Sequence, residues 1–508
     1  MRSIVSRTLQ AIILVSIAAV PVPALADLIQ LTTVDRRSAY DDLERSAARA
    51  NQRVFEALEP DCNGGIGSNC TVEQFGVFAE VRELVETANE ILANGGPTAF
   101  SLSVDDEGLG NALRWTAAEE VAAQSSAATD FADGQNASVR NRITALRLGA
   151  RGFSIAGIEN LPRQTFDDFG RPISLLPPVS AKPKSDTLAN LGGFMNASYG
   201  WGSHDPTNFE NAFDFEGYDL TAGLDYRFRP DLAAGIVVAY SANELDFDGS
   251  KSIVDGGIDS QGFSVGAFAT YSWRAFYVSG FLSYQRMEFD INRFITYPSL
   301  NPDVDGTNTR TKGETDSNAI TGALNAGYLF RFGLRELGLS ESKSKPFVLE
   351  PSFRIEFTDI TIAAYDEDNI TPDEYFALKI SEQEVQSVEA TLGLRASVAV
   401  STPLGVLFPY VRGEWRFELE DETNQTVSQY AGIGRGAGAD AFVLSGEEID
   451  TDYGVFVVGA QVIVRGGRQR TLNRAIGDRL SAFFEYRKVV ALDDITNDLV
   501  NGGVRYLF

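Results

Sequence analysis

The chain has 508 residues, more than one ordinary domain usually holds, and a formal net charge of -27. That acidity argues against nucleic-acid binding, which needs a basic surface. After the first two dozen residues no apolar run is long enough to span a bilayer, so the rest is either soluble or crosses membranes as strands.

Residues 1–26 read as a signal peptide. Arg2 and Arg7 form a basic start, Ala11 to Val20 a short apolar core, and Ala24-Leu25-Ala26 a small-residue cleavage site. Cleavage after Ala26 makes Asp27 the mature N-terminus.

Residues 27–152 read as a small all-α domain. Leu43, Ala47, Ala50, Val54 and Leu58 step by threes and fours, as do Phe75, Phe78, Val81, Val85, Ala88 and Leu92. Thr71-Val72-Glu73-Gln74 has capping-box spacing and starts the second stripe, and Asn94-Gly95-Gly96-Pro97 stops it. Cys62 and Cys70, separated by a flexible glycine-rich stretch in an exported chain, predict one disulfide joining two helices. A third helix is expected from a capping box at Thr116-Ala117-Ala118-Glu119. A fourth is expected over Val139, Ile143 and Leu146, ending near Gly149 or Gly152. Residues 153–189, with Pro162, Pro172, Pro177, Pro178 and Pro183, form a linker.

From residue 190 to 508 the period is two. Phe263, Val265, Ala267, Ala269, Tyr271 and Trp273 share one face, and so do Phe276, Val278, Gly280, Leu282 and Tyr284. About twelve such segments predict an antiparallel transmembrane β-barrel, so the fold class is mainly β with a small helical domain ahead of it. Aromatics near strand ends (Tyr199, Trp201, Tyr226, Phe228, Tyr271, Trp273) suit interface girdles. Charges of both signs alternate on the opposite face: Glu350, Arg354 and Glu356; Arg412, Glu414, Arg416 and Glu418; Glu485 and Arg487. Facing lipid, each midplane arginine would cost about 2–4 kcal/mol, so these side chains are expected in the lumen. Long acidic links are expected at 246–257, 290–314, 359–382 and 421–451, with short turns at the other end. Val500, Gly502, Val504, Tyr506 and Phe508 alternate on one face and end on an aromatic carboxyl terminus, like the terminal strand read by the barrel-assembly machinery.

Leu188-Ala-Asn-Leu-Gly-Gly-Phe-Met-Asn-Ala-Ser-Tyr-Gly and Phe215-Glu-Gly-Tyr-Asp-Leu-Thr-Ala-Gly-Leu-Asp-Tyr-Arg resemble the first strands of autotransporter translocator domains. The stretches Ala118–Gln124 and Leu146–Gly152 resemble helices that precede such barrels. The resemblance implies type V secretion: a monomeric outer-membrane barrel in a Gram-negative bacterium that displays or threads its N-terminal domain. It further implies export by the Sec translocon, insertion by the barrel-assembly machinery, and contact with outer-membrane lipid and lipopolysaccharide. Three departures stand out. The upstream region is short and has no solenoid repeat. A proline-containing linker occupies the place where the family threads a helix, and is expected to pass through the pore. No Asn-Asn junction marks self-cleavage. The other reading is a channel or structural anchor with a periplasmic or pore-plugging helical domain.

No catalytic, cofactor-binding or metal residues are predicted. His204, the sole histidine, is expected on a solvated outer loop, without a triad. Asp366-Glu367-Asp368 lacks Ca²⁺-loop spacing and reads as a solvated run.

Overall fold

The computed structural model describes residues 28–92, 98–117, 119–121, 123–147, 191–207, 211–247, 253–333, 346–372, 374–402, 405–420, 425–433, 442–445, 452–464, 480–492 and 495–506. The expected Ala26–Asp27 cleavage site, the linker 153–189 and Phe508 lie outside these residues, as do the side chains of Val504 and Tyr506.

Four helices come first: α1 (Asp42–Cys62), α2 (Val72–Ile91), α3 (Asp106–Ala117) and α4 (Ala123–Arg147). Asp41 with Glu44 and Thr71 with Gln74 form reciprocal capping boxes that start α1 and α2. The box expected at Thr116 does not form. Thr116 sits in the last turn of α3 and donates its hydroxyl to the Leu113 carbonyl at 2.9 Å. A short turn, Glu119–Val121, then leads into α4, so the expected third and fourth helices are one element. Leu43, Ala47, Ala50 and Val54 of α1 pack with Val77, Val81 and Leu84 of α2 and with Leu109 and Leu113 of α3 in one core.

Cys62 and Cys70 are disulfide-bonded, with Cα atoms 5.1 Å apart, and join the end of α1 to the start of α2. Closing so short a loop stabilises by about 2.5 kcal/mol in the chain-entropy account. Replacing both cysteines with serine is expected to weaken the α1–α2 hairpin by that amount, read as faster amide exchange in both helices. Unchanged exchange would show that the bond is dispensable.

Twelve long strands follow: β1 (Leu191–His204), β2 (Phe213–Arg229), β3 (Leu232–Phe247), β4 (Gly256–Trp273), β5 (Phe276–Tyr297), β6 (Thr307–Tyr328), β7 (Pro346–Ile362), β8 (Gln383–Val398), β9 (Gly405–Glu418), β10 (Asp452–Val464), β11 (Leu480–Val490) and β12 (Ile495–Tyr506). Each pairs antiparallel with its sequence neighbours. β1 pairs with β12 from Ala197↔Gly502 to His204↔Ile495, which closes the barrel. Closure removes the edges that lipid cannot satisfy.

The outward face locates the bilayer. On β5, Phe276, Val278, Leu282 and Tyr284 are exposed, and beyond Tyr284 the outward positions become Arg286, Glu288 and Asp290. The apolar stretch rises roughly 20 Å along the membrane normal, near the ~25 Å band of such barrels. Tyr199, Tyr218 and Phe263 are exposed at the upper rim, with the half-buried Tyr240 between the last two. Just above it, Glu216, Glu244, Asp259, Asp290 and Glu314 stand in register across β2 to β6. A row of carboxylates there belongs in water, so these strands extend beyond the membrane.

That extension corrects the expected long link at 290–314. The strands run on to Tyr297 and resume at Thr307, because an extramembrane hairpin carries polar residues on its outer face while remaining paired. The links after β7 and β9 contribute strands 365–366, 378–380, 425–430 and 442–445 to a separate four-stranded sheet. Helices α1–α3 dock on these links and on the β5–β6 hairpin as a cap. Tyr430 donates to Asn51 Oδ1 at 2.9 Å, Ser46 to the Val443 carbonyl at 2.7 Å, and the Leu300 amide to the Leu102 carbonyl at 2.8 Å. At Gly76 of α2 a Cβ would fall 2.0 Å from the Tyr375 ring, so only glycine permits this approach.

Candidate functional site: the barrel lumen and its threaded helix

The lumen holds α4, which packs on β1 to β7. The linker expected to pass through the pore, residues 153–189, lies outside the described residues; the lumen segment they show is the helix upstream of it. The long mixed stripe of α4 fits a barrel interior with unlike sides. Val139, Ile143 and Leu146 pack against Phe194, Val237, Phe268 and Phe281, an apolar wall. At Gly134 a Cβ would come 2.7 Å from Asp219 Oδ2, so the glycine lets the helix lie close to β2.

Polar contacts fix the helix's rotation. Arg142 donates through Nε to Asp225 Oδ2 at 2.7 Å, with both side chains fully buried. Asn136 donates to Glu356, Asn141 to Glu485 at 3.0 Å, and Arg140 pairs with Glu414 at 3.3 Å. Gln285 donates to the Ala128 carbonyl at 3.0 Å.

The charges singled out in the sequence lie on the inner wall. Glu350, Arg354, Glu356, Glu414, Arg416, Glu485 and Arg487 are buried, and Arg412 is half-buried. Arg354 pairs with Glu356 at 3.0 Å and Glu389 at 2.9 Å, Arg412 with Glu414 at 3.1 Å, and Arg416 with Glu389 at 3.2 Å. Glu350 accepts from Tyr277 at 2.9 Å and Glu485 from Tyr410 at 2.6 Å. Glu418 accepts from Ser387 at 2.8 Å. Val500 of β12 faces Tyr199 of β1 in register. Sequence reasoning missed the partners Asp225, Glu389 and Arg395 and every α4 donor. Asp225 stands in an alternating segment and was detectable as one more charge on the inward face. The α4 donors are scattered along a helix and carry no periodic signal.

Where the cap meets the barrel, Arg293 of β5 is a buried hub. It donates to Glu367 at 2.8 and 3.2 Å, to the Phe376 carbonyl at 3.0 Å and to the Trp115 carbonyl at 3.4 Å. Glu367 is therefore not part of a solvated run; its bond to the Leu378 amide at 3.0 Å and to Arg293 draws it inside. Gln124 donates to the Tyr365 hydroxyl at 2.8 Å beside it. His204 is likewise no loop residue. It ends β1, is 3% exposed, and stacks on Phe213 with ring centroids 4.9 Å apart, because β1 continues past the girdle.

Glu120, in the turn between α3 and α4, is buried near Arg293 and Glu367. Burial raises its pKa to about 7 against the pull of Arg293. Burial also raises Glu83 to about 8 and Glu86 to about 7, both opposed by Arg82 on α2. Carboxyls with raised folded pKa values bind more protons folded than unfolded. Their stabilisation is full below the unfolded value of 4.5 and is lost as pH rises through about 7 to 8. The cap is thus expected to be held more firmly at pH 5 than at pH 8, with Glu120 contributing about 3 kcal/mol at most. Trypsin protection of α1–α3 across this range checks it; protection that rises with pH would refute the sign.

A closed twelve-stranded barrel, apolar outside and filled by a helix from its own upstream chain, defines an outer-membrane barrel of translocator type. The autotransporter beta-domain family matches residues 193–469, more than half of the chain, and the protein belongs to that family. It is accordingly a type V secretion barrel of the Gram-negative outer membrane. Among solved structures it is similar to the translocator domain of the autotransporter NalP from Neisseria meningitidis (14% identity, TM-score 0.46, covering 77% of this chain and 100% of that one). It is also similar to the transport unit of AIDA-I from Escherichia coli (13%, 0.38, 66% and 94%) and the beta domain of Bordetella BrkA (17%, 0.36, 62% and 99%). No curated protein matches the chain.

Proposed function

We propose that this barrel carries its own helical domain, residues 27–152, to the cell surface and holds it there as a cap. The observation that supports this most is α4. It enters the lumen at the end where the long links and the cap lie, and it ends beside the short turn at Pro230, where Arg227 bonds both the Leu146 and Pro230 carbonyls. Short turns face the periplasm in such barrels, so the opposite end is extracellular.

In this reading residues 1–26 direct export through the Sec translocon and are removed after Ala26. The barrel-assembly machinery then reads the terminal strand, Val500 to Phe508, and inserts a monomeric barrel among outer-membrane lipid and lipopolysaccharide. The role is mechanical and display-related, and it assigns no catalytic residue, cofactor or metal. The linker 153–189, at about 3.3 Å per residue, is long enough to lead from the end of α4 back to β1.

A tag placed after Asp27 tests this. Labelling on unpermeabilised cells is expected. Label only after outer-membrane permeabilisation would show that the helical domain is periplasmic and the barrel an anchor.

A further inference from the structure

α4 is off-centre in the lumen. It lies on the apolar wall, reaches β9 through the long side chain of Arg140 and touches β11 through Asn141. Between the helix and β7–β9 lies a cavity whose charged lining is Arg140, Arg354, Arg395, Arg412, Glu350 and Glu414. Four guanidiniums and two carboxylates line it; Arg354 is matched by Glu356 and Glu389, which leaves Arg140, Arg395 and Arg412 facing Glu350 and Glu414.

Exposure sharpens the asymmetry. In the pairs formed by Arg395, Arg412 and Arg140 the cation is the more accessible partner, whereas Arg354 is less exposed than Glu356 and Glu389. Arg395 is 18% exposed against 8% for Glu350, while Arg412 at 17% and Arg140 at 16% both exceed Glu414 at 6%. An incoming solute therefore meets guanidinium. Arg395 and Arg412 are also directly opposite each other in the β8–β9 register, on the inward face. Like charges in that position repel, and an anion between them relieves the repulsion. The Arg395–Glu350 separation of 3.8 Å is long for an ion pair, and the Tyr410 ring, 4.4 Å from the guanidinium carbon, holds Arg395 in place. Arg140 completes the group from the helix side, near enough to Arg354 and Arg412 to feel their charge.

We propose that this cavity binds a small inorganic oxyanion of the phosphate class between Arg395, Arg412 and Arg140. The planar guanidinium fork matches a tetrahedral oxyanion's paired oxygens, and a lumen of reduced dielectric strengthens the contact. The site needs α4 seated in the lumen but does not depend on which side of the membrane the cap lies, so its failure leaves the display reading untouched.

The test is calorimetric titration of the full-length protein in detergent with inorganic phosphate. One site is expected, weakened about tenfold or more by Arg395→Gln or Arg412→Gln. Glu350→Gln, which removes the carboxylate competing for Arg395, is expected to tighten binding several-fold, an effect opposite to that of structural damage. Arg286→Gln on the outer surface leaves affinity unchanged. Heat-modifiable migration in electrophoresis verifies that each variant is folded. No heat beyond dilution for the natural protein, unchanged affinity in folded Arg395→Gln, or weaker binding in Glu350→Gln would each overturn the site.

Discussion

Arg293→Ala is expected to unseat the cap while leaving the barrel closed. Arg293 is 1% exposed, and its guanidinium ties β5 to Glu367, to the Phe376 carbonyl and to the Trp115 carbonyl at the end of α3. Truncation leaves Glu367 buried without its cation and removes the positive charge nearest Glu120. Breaking one side of a buried pair costs about 3–5 kcal/mol, a large fraction of a small domain's stability. Hydrogen exchange in α1–α3 should accelerate by orders of magnitude, while the β1–β6 amides within the membrane stay protected. The double variant Arg293→Met with Glu367→Leu should recover much of the loss, because no unpaired charge then remains. Unchanged exchange in Arg293→Ala would mean that the apolar core shared by helices and links holds the cap alone.

The barrel was legible because membrane strands obey a two-residue period that packing cannot hide. Phe263 to Trp273 and Phe276 to Tyr284 face lipid on alternate positions, and the charges on β7, β9 and β11 stood out as unacceptable to lipid. Capping chemistry is equally local, which is why Thr71 located the start of α2. What failed were features set by tertiary context. Thr116–Glu119 has the spacing of a capping box, yet α3 already extends through Thr116, stabilised by Leu109 and Leu113 in the core. Glu367 sits among acids that resemble a solvated run, and its burial is explained by partners distant or hidden in sequence, Arg293 and the Leu378 amide. The seating of α4 in the lumen was hidden for the same reason. The residues that seat it are Gly134 against Asp219 and Arg142 against Asp225, each set across about 83 positions or more.

The Arg142–Asp225 pair carries the second large effect. Both side chains are closed to solvent, and Arg142 also lies 5.3 Å from the Phe194 ring centroid on β1. Arg142→Ala or Asp225→Ala alone strands one charge inside the barrel and is expected to destabilise the seating of α4 by about 3–5 kcal/mol. At that cost the helix should leave the lumen transiently, since Val139, Ile143 and Leu146 supply the remaining hold through apolar burial worth about 1.5–3 kcal/mol each. In planar bilayers the single variants should show frequent large conductance steps that are rare in the natural protein. The paired variant Arg142→Ala with Asp225→Ala should be quieter than either single one, because no buried charge is left unmatched. The comparison separates two ways of holding a plug. If the single variants conduct no more than the natural protein, the apolar wall alone keeps α4 in place, and the ion pair sets only the rotation that brings Asn136, Arg140 and Asn141 to Glu356, Glu414 and Glu485.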